Sequence, residues 1–353
     1  MRIVVAMSGG VDSSVAAALL ADEGHEVVGL SMQLYDQQEG EARFGGCCSL
    51  DDLHDARRVA AAIGIPHYIV NFEQPFETHV IDNFVREYAA GRTPIPCAHC
   101  NSDVKFATLA ERSVGLGAER VATGHYARLE RDETSGRVRL QRGLDRSRDQ
   151  SYFLFSLDQA QLAAAAFPIG HLEKTAVRAY ARERGLPVAD KPDSQEICFV
   201  PDQDYAGFLA RRAPGIEQPG AIVDERGETI GRHGGVHRFT VGQRKGLGIS
   251  TGAPLYVLEL RPAEQQVVVG PKAALERTEL TASAVNWIEP EPTARRRVEA
   301  QIRHRHTPAP ATVSVLGSGH AQVVFDEPQL AITPGQAVVF YEGDVVVGGG
   351  WID

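Results

Sequence analysis

Five cysteines, Cys47, Cys48, Cys97, Cys100 and Cys198, are the residues of this 353-residue chain best suited to covalent or metal chemistry. Cys97 and Cys100 lie in Pro94-Ile95-Pro96-Cys97-Ala98-His99-Cys100-Asn101, where two prolines stiffen the approach. A helix is predicted to begin just after, at 101–103, and to run through Lys105 and Phe106. That position would favour a thiolate at the helix N-terminus. Cys198 follows about a hundred residues later, in Asp193-Ser194-Gln195-Glu196-Ile197-Cys198-Phe199. Three chemistries fit this set. One is a zinc knuckle on Cys97, Cys100 and two further ligands. Another is a nucleophile paired with a persulfide carrier. The third is an iron–sulfur cluster on three cysteines, with one iron left open. Cys47 and Cys48 are adjacent and make a poor chelating pair; they are read as buried structural thiols.

A second chemical element is Ser8-Gly9-Gly10-Val11-Asp12-Ser13-Ser14. Two glycines allow backbone amides to approach an anion, and a following helix adds the positive end of its dipole. Ser8, Ser13 and Ser14 offer hydroxyls, and Asp12 offers a carboxylate for a Mg²⁺ that bridges phosphates. The run is neither a Gly-Lys-Ser/Thr phosphate loop nor Gly-x-Gly-x-x-Gly. An ordinary glycine-rich turn is disfavoured, because the heptapeptide falls at a strand end, where open α/β sheets bind ligands.

The elements that must position these residues read as alternating strands and helices. Ile3–Met7, Val27–Met32, Tyr68–Asn71 and Arg120–Thr123 are predicted strands; Val11–Ala21 and Val80–Ala90 are predicted helices. Ser49 and Asp52 resemble a helix start, Leu53, Ala56, Ala60 and Ile63 share one face, and Gly64 suits the C-terminal cap. This alternation predicts an α/β, doubly wound parallel sheet. After about residue 205 the pattern changes. A hairpin is predicted at 221–230, and from Leu255 onward short alternating runs follow one another between turns, the signal of a small antiparallel barrel or sandwich. The division expected is 1–205, a nucleotide-binding catalytic domain; 206–275, a small central mostly-β linker domain; and 276–353, a C-terminal antiparallel β-barrel.

Composition narrows the function classes. Hydrophobic residues are 43% and charged residues 23%, so the chain is expected to fold rather than stay disordered. No apolar run reaches the roughly 18 residues of a membrane span, and no cleavable signal pattern opens the chain, so no membrane and a cytoplasmic location are expected. The net charge of −10 argues against a wholly basic nucleic-acid binder. Local arginine clusters remain: Arg137, Arg139, Arg142, Arg146 and Arg148; Arg244-Lys245; Arg295-Arg296-Arg297; and Arg303-His304-Arg305-His306. Each alone reads as a solvated face; together they could track a phosphate backbone.

The Ser-Gly-Gly-x-Asp-Ser run resembles the pyrophosphate loop of the ATP pyrophosphatase superfamily, whose members cleave ATP between its α and β phosphates and adenylate a carbonyl oxygen. The resemblance implies an adenine nucleotide hydrolase-like fold. It also implies an ATP site of Ala6, Met7, Ser8, Gly9, Gly10, Val11, Asp12 and Ser13, with Gly29-Leu30-Ser31-Met32 holding the adenine and Thr123-Gly124-His125-Tyr126, through Gly124, closing the site. A more specific likeness covers nearly the whole chain in order. The segments 91–106, 122–126, 143–155, 193–199, 242–248 (Gly-Gln-Arg-Lys-Gly-Leu-Gly) and 325–350 resemble tRNA-uridine 2-sulfurtransferase, the 2-thiouridylase of the wobble position.

That resemblance implies Cys100 as the nucleophile and Cys198 as the persulfide carrier, with ATP and Mg²⁺ consumed and AMP and pyrophosphate released. It implies tRNA contacts at His125, Arg148, Asp149, Gln150, Arg303, His304 and Gln336, and tRNAs for Lys, Glu and Gln as substrates. The sulfur donor is expected to be a cysteine desulfurase or a relay protein. Some members carry Asp where this chain has Cys97. The substitution completes a trio, Cys97, Cys100 and Cys198, and leaves open a [4Fe–4S] cluster whose free iron binds hydrosulfide. Competing readings are a glutamine-dependent amide synthetase, a lysidine- or thiocytidine-forming tRNA enzyme, and a non-catalytic zinc-stapled tRNA-binding module. The first is disfavoured for want of length for an ammonia-supplying domain. The second is disfavoured by the paired Cys100 and Cys198 contexts and the C-terminal barrel.

Overall fold

The computed structural model describes residues 1–34, 50–193, 197–200, 204–249 and 252–353. Cys47, Cys48 and the helix start expected at Ser49 lie outside them, as do Ser194, Gln195 and Glu196. The chain divides into two compact units: residues 1–80, 96–203 and 344–346 form the first, and residues 81–95, 204–343 and 347–353 the second.

The first unit is built on a parallel sheet of β1 (Arg2–Ala6), β2 (Glu26–Gln33), β3 (His67–Asn71), β4 (Arg120–Ala122) and β7 (Ala165–Ala166), in the order β3-β2-β1-β4-β7. Central β1 pairs on both sides, Ile3 with Val27 and with Arg120. Its interior positions Ile3, Val4 and Val5 are buried, as a two-sided parallel strand requires. Helix α1 (Val11–Asp22) is buried around most of its circumference, which the run Ala16-Ala17-Ala18 permits by letting neighbours approach closely. Helix α2 (Leu50–Ile63) buries Leu53, Ala56 and Ala60, and Gly64 follows at φ +78°, the left-handed residue that ends a helix. The doubly wound α/β sheet expected from the sequence is present.

Two features of this unit differ from the expectation. The helix expected at 101 begins earlier, with a turn at Pro96–His99 that continues through the π-helical Cys100–Thr108. Proline is pre-shaped for a first helical position, so Pro96 starts the helix rather than delaying it. Cys97 therefore sits in the first turn, and Cys100 lies one turn inside. The arginine-rich stretch before residue 148 also forms an antiparallel hairpin, β5 (Ala127–Arg131) with β6 (Val138–Arg142), and Val345 and Val346 pair with β6.

The second unit contains two β structures. The smaller sheet runs β10-β11-β8-β9, from β8 (Gly220–Val223), β9 (Thr229–His233), β10 (Tyr256–Arg261) and β11 (Gln266–Gly270), around Ile222, Phe239, Val257 and Val267. The larger is an antiparallel barrel of β12 (Glu276–Trp287), β13 (Arg296–Gln301), β14 (Ala309–Gly317), β15 (His320–Leu330), β16 (Ala337–Glu342) and β17 (Val345–Ile352). Pairing of β12 with β17 closes it, so it presents no sheet edge. Val313, Val323, Val338 and Phe340 fill its core, and Trp287 stacks on Phe340 at 5.6 Å between ring centroids.

Candidate functional site

The site lies in the first unit, at the carboxyl ends of β1, β2 and β4. Residues 8–10 leave β1 and lead into α1. Gly10 caps the helix in an extended conformation and supplies no side-chain acceptor to the first-turn amides, the arrangement of an anion site. The Ser13 and Ser14 hydroxyls donate to Gly10 O at 3.3 and 2.8 Å, and Ser8 N donates to Ser13 Oγ at 3.2 Å. These bonds hold the loop in shape. Gly9 has φ +72°, and a Cβ there would fall 2.2 Å from Asp52 O of α2. At Gly124, after β4, a Cβ would fall 2.5 Å from Ser13 N. Both glycines are required by close backbone contact, so the loop is clamped between α2 and the end of β4.

A cavity of about 340 Å³ opens beside the loop. Its wall includes every nucleotide position named from the sequence except Gly9. Cys97, Cys100 and Cys198 line the same cavity, and so do His125, Arg148 and Gln150. Cys97 is exposed, Cys100 is buried and Cys198 is half-buried. The fold thus brings together the two cysteine-bearing segments that the sequence left a hundred residues apart.

Two lysines that the sequence did not single out, Lys174 and Lys191, shape the electrostatics of this cavity. Lys174, 8% exposed, donates from Nζ to both oxygens of Asp12 at 2.8 Å and also pairs with Asp193 at 2.8 Å. The Tyr126 hydroxyl donates to Asp12 Oδ1 at 2.8 Å. Burial and the Asp12 charge push the Tyr126 phenol far above its ordinary value, so it stays a donor. Lys191 donates to Gly9 O at 3.1 Å, to Asp52 at 2.6 Å and to Asp55 at 2.5 Å. Burial alone would lower this ammonium's pKa, but the two carboxylates outweigh it and raise it. Lys105, five residues after Cys100, donates to Asn101 Oδ1 at 3.1 Å and also lines the cavity. Four cations, Lys105, Lys174, Lys191 and Arg148, border this space together with the carboxylates of Asp12, Asp52 and Asp193. His125 packs against Phe106 and Phe167, and its Nδ1 lies 2.7 Å from Thr123 Oγ1. Burial, with Lys105 nearby, holds it well below the usual histidine range and keeps the imidazole neutral.

The remaining sequence-named residues lie in the turn after β6 or in the second unit. Asp149 accepts from Arg142 at 3.0 Å, from Gly143 N at 3.0 Å and from the Ser151 hydroxyl at 2.9 Å, so it shapes the turn after β6. Gln150 accepts from Tyr126 N at 3.0 Å. In the second unit Arg303 and His304 are exposed at a barrel end, and Gln336 donates to Thr93 O at 2.9 Å. Several arginines read as a phosphate track are ion-paired within the protein: Arg139 with Asp132, Arg142 with Asp149, Arg146 with Asp344, Arg148 with Asp193, Arg296 with Glu342 and Arg297 with Asp326.

Among the described residues no three His, Cys, Asp or Glu side chains are grouped to hold a metal ion. Cys97, Cys100 and Cys198 share a cavity without forming such a group, so the donors among the described residues fit neither a [4Fe–4S] cluster nor a zinc knuckle. Asp12 with the Ser8 and Ser13 hydroxyls is a hard-oxygen set, which suits a Mg²⁺ held mainly by substrate phosphates. No helix among the described residues is long and apolar enough to cross a membrane.

An open parallel sheet carrying a glycine–serine anion loop above a cysteine-lined cavity defines a nucleotide-binding domain of the HUP class. The family model described as the tRNA methyl transferase HUP domain matches residues 1–202, the tRNA methyl transferase PRC-barrel domain matches 206–271, and the aminomethyltransferase β-barrel domain matches 277–352. The chain is 54% identical to the tRNA-specific 2-thiouridylase MnmA of Geotalea uraniireducens, covering all of this chain and 95% of that one. It is 55% identical to the protein of the same name from Solibacter usitatus, covering 99% of each. The chain belongs to the tRNA-specific 2-thiouridylase family.

Proposed function

We propose that this protein is an ATP-dependent tRNA sulfurtransferase that replaces the 2-oxygen of the wobble uridine with sulfur. The observation that carries this reading is a single cavity bordered by the anion loop, four cations and both Cys100 and Cys198. The three parts taken are 1–205, 206–275 and 276–353, a division supported by the spans of the three family models.

The chemistry follows from the leaving group. A uracil 2-oxygen does not leave as hydroxide at useful rates. Its attack on the α-phosphorus of ATP expels pyrophosphate and turns that oxygen into part of AMP; the N3 proton is lost as the ring becomes an imidate. The loop amides, Lys174 and Lys191 border the space for the phosphates, and Mg²⁺ carried with ATP offsets their charge. The terminal sulfur of a Cys198 persulfide then attacks C2, and AMP departs with the oxygen. The Cys100 thiolate attacks Cys198 Sγ. The sulfur–sulfur bond breaks toward the base, which keeps the outer sulfur and regains its N3 proton. The product pair is a thiolated uridine and a Cys100–Cys198 disulfide. If Cys100 attacks first, hydrosulfide is released and adds to C2, and the balance is the same. Two electrons from an external thiol restore the cysteines, and a persulfide donor such as a cysteine desulfurase or relay protein reloads Cys198. To reach the cavity the wobble base must leave its stack. The substrates proposed are the tRNAs for Lys, Glu and Gln, and the location is the cytoplasm. RNA contacts are proposed at Arg148, at His125, Asp149 and Gln150 beside the cavity, and at Arg303, His304 and Gln336. The exposed ion pairs of the arginine clusters, such as Arg146–Asp344 and Arg297–Asp326, contribute little, so RNA phosphates can displace their carboxylates.

The test is thiolation of unmodified tRNA with ATP, Mg²⁺ and a persulfide donor. Wild type and Cys97→Ala are expected to form 2-thiouridine, while Cys100→Ser and Cys198→Ser are not. Full activity in either serine variant refutes the relay.

A further inference from the structure

The turn Pro96–His99 and the π-helical Cys100–Thr108 follow without a break, so Cys97 and Cys100 stand three residues apart on one helix. Of residues 96–100, Pro96, Cys97 and Cys100 line the cavity, and Ala98 and His99 do not. Ala98 is fully buried, and His99 Nδ1 lies 3.1 Å from Asp103 Oδ2, one turn further on. The two cysteines therefore share the helix face turned to the cavity, as residues three apart on a helix do.

They differ in what can reach them. Cys97 is exposed, whereas Cys100 is 9% exposed. The chain just beyond Cys100 is pinned: Asn101 Nδ2 donates to Phe153 O at 3.0 Å, and Ser102 Oγ donates to Ala98 O at 3.2 Å. Cys198 is half-buried in the same cavity. A Cys100–Cys198 disulfide would thus lie within the site, with an exposed thiol one helical turn from it. Helix geometry sets the Cα atoms of residues i and i+3 about 5 Å apart, inside the span of roughly 4.4–6.8 Å that a disulfide bridges. Their Cβ atoms stand about 5–6 Å apart in a regular helix, and a disulfide takes roughly 3.5–4.5 Å. Tightening of the opening turn toward a 3₁₀ form, in which residues i and i+3 eclipse, supplies the difference, and such turns are frequent at helix ends.

We propose that Cys97 is the resolving thiol of this site: it moves the disulfide left by sulfur transfer out of the cavity to the surface. This rests on the assignment of Cys100 and Cys198 as the relay pair. The Cys97 thiol loses its proton and attacks Cys100 Sγ. The Cys100–Cys198 bond breaks, Cys198 departs as a thiolate and takes up a proton, and a Cys97–Cys100 bond forms. The exchange is isoelectronic for the protein. An external dithiol then attacks the exposed Cys97 sulfur and is itself oxidised to a disulfide, while Cys97 and Cys100 each regain a proton. Cys198 is thereby returned as a thiol, ready for the next sulfur, before any reductant has entered the cavity.

The test is a disulfide map of the full-length protein. Persulfide-loaded wild type and Cys97→Ser are taken through a single turnover with tRNA, ATP and Mg²⁺, without reductant, and quenched with iodoacetamide. Trypsin leaves Cys97 and Cys100 together in the peptide 93–105 and Cys198 in another. Wild type is expected to show a bridge within 93–105 and an alkylated Cys198. Cys97→Ser is expected to show 93–105 joined to the Cys198 peptide. A wild type that keeps the Cys100–Cys198 link, with Cys97 alkylated, overturns the proposal. In multiple turnover the Cys97→Ser rate should fall several-fold at limiting dithiothreitol and recover as dithiothreitol is raised; a dependence equal to that of wild type also overturns it. A second measurement needs no RNA. Cys198→Ser oxidised with an equivalent of diamide should form the bridge within 93–105, and its failure to form refutes the geometry. If wild type thiolates tRNA and no disulfide forms at all, the relay reading itself fails, and the role of Cys97 falls with it.

Discussion

The parallel sheet of the first unit and the closed barrel of the second both bury Val, Ile, Ala and Phe, yet they treat charge in opposite ways. The barrel pairs β12 with β17, leaves no edge, and keeps its charges in exposed pairs such as Arg297–Asp326. The parallel sheet ends in loops at the carboxyl ends of its strands. There Asp12, Lys174, Lys191 and Asp193 are drawn partly or wholly out of water into one shared network. Closure satisfies every strand and leaves nowhere for a ligand to enter between them; an open parallel sheet leaves a row of strand ends whose loops must turn over a common space. Partly buried, multiply shared ion pairs thus gather at the strand ends of the parallel sheet, while the barrel's Arg297–Asp326 pair stays in solvent.

The comparison can be broken by substitution. The largest effect expected is at Cys198: Cys198→Ser should reduce thiolation to the level without enzyme, since an alcohol cannot carry a persulfide. Next is Gly124→Ala, whose Cβ would fall 2.5 Å from Ser13 N. Displacing the loop should weaken ATP binding or turnover by up to about 10²-fold, read by calorimetry and pyrophosphate release. Phe340→Ala in the barrel should cost about 3–5 kcal/mol of stability in denaturant titration, with ATP binding kept, because the nucleotide loop belongs to the first unit.

Acid should sharpen the contrast. His67, His125, His233, His237 and His306 are held below the ordinary histidine value, chiefly by burial. The unfolded chain then takes up protons at about pH 6.5 that the folded chain refuses, so stability begins to fall as pH drops through that value. Asp55, Asp103, Asp145 and Asp193 are held below the ordinary carboxylate value, because their partners outweigh burial. Their contribution is fully present above about pH 4 and is lost as pH falls through the folded values. Melting temperatures between pH 7.5 and 3 should show both stages, and a flat profile down to pH 4 would contradict the histidine stage. The smallest effect is expected at Arg297→Ala: loss of its exposed pair with Asp326 should leave the melting temperature unchanged within measurement error.

Legibility in the sequence followed contiguity. The anion loop is seven consecutive residues whose types already state their use, and alternation of strand and helix placed it at a strand end. The Pro96 helix start and the β5–β6 hairpin were legible in principle: proline suits a first helical position, and Val138-Arg139-Leu140 alternates. Their reading was displaced by the cysteines and by the arginines as charge. Lys174 and Lys191 gave no such signal, because an isolated lysine in a polar stretch reads as solvated.

Sequence by itself therefore determined the class of sheet, the antiparallel strands that follow it and the phosphate loop, since each is written in a local pattern or run; the sulfur roles of Cys100 and Cys198 are implied only by the family resemblance. Only the tertiary structure decided that both cysteines border one cavity and that Lys174 joins Asp12 to Asp193. Those outcomes depend on distances between segments as much as 182 residues apart, and such distances are set by how the helices pack across the sheet.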